Sequence, residues 1–321
     1  MTLERLGRPF LAAALLAPLA TGVTAQCPPE APLKNYTGGG TTACPCFVSG
    51  EEAGVVLTAP ANHYPIEITK IRIAWGSVFG GAPQSLESAL KIYPAGLPNP
   101  GVAQFSVAGP TLTDGFINEF DVSAIPGNKI ISSGPFTVTL EFLNSNSGNV
   151  FAPSVVHDGN GCQAGKNVVK AIPGGWSDAC ALGVTGDWVM EVVYERAAAA
   201  TVNNGTGANP LTLTNVSTPS LGATWTVDLD CTGHAASIAS MLGYTGILGT
   251  PATFSFGELI IDPGSILILK QNKAHGGGVA TYNNVVPNDV SLCGLTMYVQ
   301  GACFGAPGVQ LSNALAVRVG D

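Results

Sequence analysis

The chain has 321 residues, 41 of them glycine and 23 proline, and only 11% are charged. Thirteen Lys and Arg stand against 21 Asp and Glu, a net charge of -8 that leaves no basic stripe to neutralise phosphates and argues against nucleic acid as a partner. Turn formers and β-branched residues with so few charges favour short strands over helices, in a length that accommodates two ordinary domains.

Residues 1–25 have the three parts of an export signal: Arg5 and Arg8, an apolar run from Phe10 to Ala20, and Val23-Thr24-Ala25 as the cleavage site. The mature chain is expected to begin at Gln26, and because Gln26 is not small, no lipid anchor is expected on Cys27. No later stretch approaches the roughly 20 apolar residues of a membrane helix. The expected product is secreted or extracellular, with periplasm or cell surface as the other destinations, and has no membrane contact after signal cleavage.

Residues 26–195 read as a first β-sandwich. Ile66 and Ile68 share one parity while Ile71, Ile73 and Trp75 share the other, which predicts a β-bulge near Thr69 and Lys70. Phe136, Val138, Leu140 and Phe142 alternate with Thr137, Thr139 and Glu141, a strand with one buried face. Trp188, Met190, Val192 and Tyr194 do the same against Glu191 and Glu195, and the pattern stops in Ala197 to Ala200. A linker is therefore expected over residues 196–208, followed by a second sandwich over 209–321. The predicted architecture is all-β, with two jelly-roll-like β-sandwich domains in tandem after a signal peptide.

In the second domain Trp225, Val227 and Leu229 predict a one-faced strand, and Ser265 to Leu269 is apolar enough to predict a central strand covered on both sides. Ala235 to Tyr244 is the one segment expected to form a short helical turn. Leu295, Met297 and Val299, then Leu315, Val317 and Val319, predict the closing strands.

Eight cysteines beyond an export signal predict disulfides. Five precede the linker and three follow it, so either one bridge crosses or two thiols stay free. Short intervening loops favour Cys162 with Cys180 and Cys293 with Cys303, and Cys27 with one of Cys44 and Cys46. Cys44-Pro45-Cys46 lacks the two-residue spacing of a zinc or redox pair.

The segments NPLTLTNVSTPSLGATWTVDL, VPNDVSLCGLTMYVQG and GVQLSNALAVRVGD make residues 209–321 resemble a C-terminal β domain that recurs in secreted proteins of planctomycete-type bacteria. The resemblance implies an extracellular address and a domain type, with no catalytic motif to carry over. The first half, with CPCFVSGEE, FINEFDV and GDWVMEVVY, is similar only in style to secreted β-sandwich modules.

Chemistry is sparse. There is no G-x-S-x-G elbow, H-E-x-x-H pair, P-loop or C-x-x-C pair, and the four histidines show no ligand spacing. Asp158 and Asn160 alternate with glycines, and with Asp187 or Asp178 they form a candidate oxygen cage for a structural calcium; no other cofactor is expected. An Asx turn ending a strand is the alternative. Trp176, with Ser177 and Asp178, lies between Gly/Pro-rich residues and is the tryptophan expected at the surface, a candidate platform for a sugar ring. The leading expectation is a secreted, non-catalytic binding or adhesion protein, glycan-binding through its first domain, with an extracellular polysaccharide or cell-surface component as partner. A structural protein of the cell surface or matrix is the alternative, and a hydrolase with an unrecognised site the third.

Overall fold

The computed structural model describes residues 26–38 and 42–321, so the expected signal segment lies outside the described residues. Helical structure among them is confined to three single 3-10 turns, and every strand pair is antiparallel. This is an all-β, sandwich-type fold. None of the described helices is long and apolar enough to cross a membrane.

Two sheets enclose the first core. One runs in the order Leu33–Lys34, Met190–Arg196, Ile66–Gly76, Ser154–His157, Thr42–Ala43, with Ile130–Ile131 and Phe116–Asp121 also paired to Ile66–Gly76. The other runs Gly175–Asp178, Asn167–Ala171, Glu52–Leu57, Phe136–Glu141, Ala89–Tyr93, Phe105–Ala108. Alternation places Ile71, Ile73, Trp75, Met190 and Val192 against Val55, Leu57, Val138, Leu140 and Ile92 in one buried cluster. The bulge expected at Thr69 is present: Val193 pairs with Lys70 but Tyr194 pairs with Ile68, so Thr69 is the extra residue and both isoleucine pairs reach the core.

A second core gathers Trp225, Val227 and Leu229 from Thr224–Asp230 with Met241, Val299, Leu315 and Val317 from a facing five-stranded sheet. Residues 196–208 are not a free linker. Ala199–Asn203 is a strand paired along Gln310–Arg318. Ala235 to Tyr244 contains no helical turn; Ser237–Tyr244 is a strand with alternating burial. Ile266, Leu267 and Ile268, expected in a central strand, start an edge strand, Leu267–His275, and stand open to solvent. An apolar run alone cannot distinguish a doubly covered strand from an uncovered edge.

Buried amides explain much of what is distinctive in residues 209–321. The Asn209 side chain accepts from the Glu258 N–H at 2.7 Å and donates to the Glu258 and Ser312 carbonyls, copying the hydrogen bonds of a neighbouring strand. Gln300 donates to the same two carbonyls and accepts from Ile260 N–H. Asn313 brackets Leu213 through its N–H and C=O. Each is fully satisfied, as buried polar groups must be.

The eight cysteines form four disulfides, the covalent pattern of an oxidising, non-cytosolic compartment. Cys162 pairs with Cys180 as expected. Cys293 does not pair with Cys303, because Thr296–Cys303 runs between them as an extended strand and holds them at its opposite ends. Cys303 instead reaches Cys231, at the end of Thr224–Asp230, and so ties the two facing sheets together. Cys27 pairs with Cys293 rather than with Cys44 or Cys46, which bridge each other.

The Cys27–Cys293 bridge belongs to the second core and borders a polar junction with the first. Arg318 donates to the carbonyls of Asn62, His63 and Tyr64, and Arg196 Nε meets Glu30 at 2.6 Å. Cys27 N–H donates to Asp321 at 2.7 Å. Burial, and then the adjacent Asp321 carboxylate, pushes Glu195 from 4.5 up to about 7. A carboxyl raised in this way stabilises the fold fully below its unfolded value, and that contribution is lost as pH rises through about 7. Glu195→Gln should therefore remove a decline in stability between pH 5 and 8 of roughly 1 to 3 kcal/mol, measured by urea unfolding at several pH values; parallel pH profiles for the two proteins would refute this.

Candidate functional site

The outward face of the six-stranded sheet carries a dense polar cluster. Ala53, Val55 and Leu57 point into the core, so Glu52, on the same strand, faces outward, opposite Lys170 and Glu141 on its neighbours. The Glu52 carboxylate is nevertheless fully buried. It accepts from Lys91 Nζ at 2.9 Å, Lys170 Nζ at 3.0 Å, Thr139 Oγ1 at 2.7 Å and the Tyr93 hydroxyl at 2.8 Å. Lys91 also meets Glu141 at 3.0 Å. Gly54 makes room for this arrangement, since a Cβ there would collide with the Val138 carbonyl and the Thr139 methyl.

Trp176 roofs the cluster. It lies on the edge strand Gly175–Asp178, opposite Lys170, whose Nζ is 5.4 Å from its ring. Its ring meets Tyr93 edge-on at 5.0 Å, although their strands are separated by three others, so the two aromatics close above the intervening strands. Burial alone would raise Glu52, but the Thr139, Lys91, Lys170 and Tyr93 donors outweigh it and hold the carboxyl below its ordinary range. Burial, and next the Glu52 charge, push the Tyr93 hydroxyl upward. An ionised carboxylate saturated by donors and sealed beneath an aromatic pair has neither the proton of a general acid nor the access of a nucleophile. What remains for a ligand is the half-buried Trp176 ring and the Lys170 stem beside it.

The structure separates the three residues expected to act together here. Trp176 faces outward, but Ser177, next along the strand and paired with Val169, faces the opposite side. Asp178 is engaged in the turn that follows, accepting from Cys180 N–H at 3.0 Å and Gly165 N–H at 2.7 Å. The expectation that Trp176 stands in an open loop is also corrected, since it belongs to an edge strand.

The candidate calcium ligands Asp158 and Asp187 do come together, with Asp187 N–H donating to Asp158 Oδ1 at 2.9 Å. Their lone pairs are already occupied. Asp158 also accepts from the N–H groups of Thr37, Gly38 and Asn160, which, against the cost of burial, hold its carboxyl low. Asp187 accepts from Gln163 N–H at 2.8 Å, from its side-chain amide, and from Asn167 Nδ2 at 2.6 Å. The Asn160 amide donates to Thr37 Oγ1. This donor set does not fit calcium, which needs six to eight free oxygen ligands; it braces the N-terminal segment against the loops instead. Cys162, Cys180 and Asp178 also converge, but the two sulfurs are joined in a disulfide and offer no thiolate to a metal.

Sequence reasoning missed Glu52, Lys91, Tyr93 and Lys170. The available signal was the opposite charges of Glu52 and Lys170 in otherwise apolar strands, but their adjacency depends on strand order. It also missed a second aromatic surface, where Phe79 and Phe151 stack in the open at 5.1 Å, with Phe116 and Ile117 exposed as well.

No protein-family model matches the chain, and no curated protein is detectably similar. Among solved structures, the crystal structure of Bacteroides uniformis beta-glucuronidase aligns at 11% identity and a TM-score of 0.19. That alignment spans 85% of this chain but only 27% of the other, and a score this low assigns neither fold nor activity.

Asp158→Asn should lower stability by about 1 to 3 kcal/mol, the worth of charge-assisted bonds to buried N–H groups. Millimolar calcium should leave the thermal midpoint of the wild type unmoved, and a rise of several degrees on adding calcium would reverse the structural reading of Asp158 and Asp187.

Proposed function

We propose that this is an exported, non-catalytic binding or adhesion protein whose first sandwich engages an extracellular polysaccharide or another cell-surface component. The observation that carries the reading is the Trp176 ring, held edge-on by Tyr93 and flanked by Lys170 on an edge strand. A tryptophan fixed in this way loses little rotamer freedom when a sugar ring stacks on it, and the Lys170 ammonium, which gives Glu52 one of its three N–H groups, keeps donors for a hydroxyl. Export is supported by the signal pattern of residues 1–25, the four disulfides and the resemblance of residues 209–321 to a domain of secreted proteins. The saturated Glu52 argues against hydrolysis at this face.

A second reading, a structural component of a surface or matrix, draws on the open edge strand Leu267–His275 and the exposed Ile266, Leu267 and Ile268 beside it. Unpaired edges recruit further strands, whereas Lys270 and Lys273 on this one oppose such pairing. Concentration-dependent assembly in sedimentation would favour it.

Trp176→Ala should keep the fold, at a cost of about 1 kcal/mol for the lost aromatic contact, while retention on insoluble polysaccharides falls severalfold. Phe79→Ala with Phe151→Ala serves as the companion variant. If that pair loses binding and Trp176→Ala does not, the ligand lies on the other surface. Undiminished retention of both would remove the glycan reading.

A further inference from the structure

The four disulfides differ in what they hold. Three join residues 266, 18 and 72 positions apart, but Cys44–Cys46 joins residues two apart. Those two are already in contact, through the Cys46 N–H bonded to the Cys44 carbonyl at 2.8 Å. Closing so small a loop removes little entropy from the unfolded chain, and the bond links no two strands. Cys46 is also the exposed one among the eight cysteines, with Cys44 half-buried.

The surroundings suit chemistry better than packing. Cys44 and Cys46 line a cleft of about 320 Å³ together with His157 and the apolar Val169, Leu182 and Val184. His157 arrives on the strand paired to Thr42–Ala43, immediately before Cys44. Its Nδ1 is buried against Gly186 without a hydrogen-bond partner among the described residues, so the ring can take a proton from the cleft only through Nε2. Burial, opposed by the nearby Asp158 charge, lowers the affinity of the ring for a proton.

We propose that Cys44-Pro45-Cys46 is an exchange-active disulfide that oxidises cysteine thiols presented at this cleft, with His157 as the base. The incoming thiol gives its proton to His157, and its sulfur attacks the exposed Cys46 Sγ. A new S–S bond forms as the Cys44–Cys46 bond breaks, and Cys44 Sγ leaves as a thiolate that takes the proton from His157. A second thiol of the substrate attacks the substrate sulfur of this mixed disulfide and releases Cys46 as a thiol. Two substrate thiols become one disulfide, while Cys44 and Cys46 are reduced to two thiols. Exposure and a short loop mark labile disulfides, whereas buried ones that tie sheets together resist exchange. The inference is independent of glycan binding, because the cleft and the Trp176 face use different residues.

The test equilibrates the folded protein in glutathione buffers of graded reducing strength, traps thiols with N-ethylmaleimide and maps them by mass spectrometry. Cys44 and Cys46 should become alkylated at reduced glutathione concentrations at least about tenfold lower than the other six cysteines require. Reduction of this pair together with or after the others would overturn the proposal. In the kinetic arm, a reduced dithiol peptide should be oxidised at least about tenfold faster by the wild type than by the Cys44→Ser, Cys46→Ser double variant. Equal rates would likewise overturn it. The double variant should keep the thermal midpoint, since the bridge holds no strands together. His157→Gln, checked for folding by the same midpoint, should slow the exchange severalfold; an unchanged rate would remove the histidine from the step.

Discussion

The strand Met190–Arg196 is buried on both faces, and much of the architecture follows from satisfying it. Its inward side, Met190, Val192 and Tyr194, belongs to the first core. Its other side carries Glu191 and Glu195, which are only 8% and 7% exposed and so require partners. Tyr36 donates to Glu191 at 2.6 Å and Arg72 at 2.9 Å, while Gln26 and Asp321 approach Glu195. Both ends of the described chain are thereby drawn onto one strand. The Cys27–Cys293 disulfide and the Arg318 bonds to carbonyls 62–64 then fix the two cores against each other. Packing at this junction is tight: a Cβ on Gly320 would collide with the Arg196 carbonyl and the Ala198 nitrogen.

A chain so poor in charge concentrates it where backbone geometry demands a partner. Glu52 with Lys91 and Lys170, Asp158 with four N–H groups, and Glu258 with Thr206 are each buried carboxylates ringed by donors. Such networks contribute modestly to net stability, yet breaking any one leaves a buried charge without compensation. They therefore select one register and one loop arrangement. The same account covers the amides of Asn209, Gln300 and Asn313. Their chemistry is that of fold specification.

Parity was the most informative signal in the chain. It located Trp75, Trp188 and Trp225 in the cores, the bulge at Thr69 and the closing strands at Val299 and Val317, because burial of one sheet face imposes a period of two on local sequence. It failed for Ile266 to Ile268, where an apolar run ends on an uncovered edge, and for Ala199–Asn203, where small residues concealed a strand. The disulfides failed for a related reason. Proximity along the chain identified Cys162 with Cys180, but an intervening extended strand separates Cys293 from Cys303.

The candidate site shows the same division. That Trp176 differs from the other tryptophans was legible from its glycine-rich surroundings; that it closes over Glu52 with Tyr93 was not, because those residues are brought together by the order of five strands. Likewise Asp158 and Asp187 could be named as neighbours, but only the folded loops showed their oxygens already bound to N–H groups. What the sequence by itself determined is the all-β class, the facing of most strands and the disulfide-forming compartment, since each depends on local periodicity or composition. Strand order, three of the four cysteine pairings and the identity of the polar clusters were decided by tertiary structure, because each depends on contacts between residues far apart in the chain.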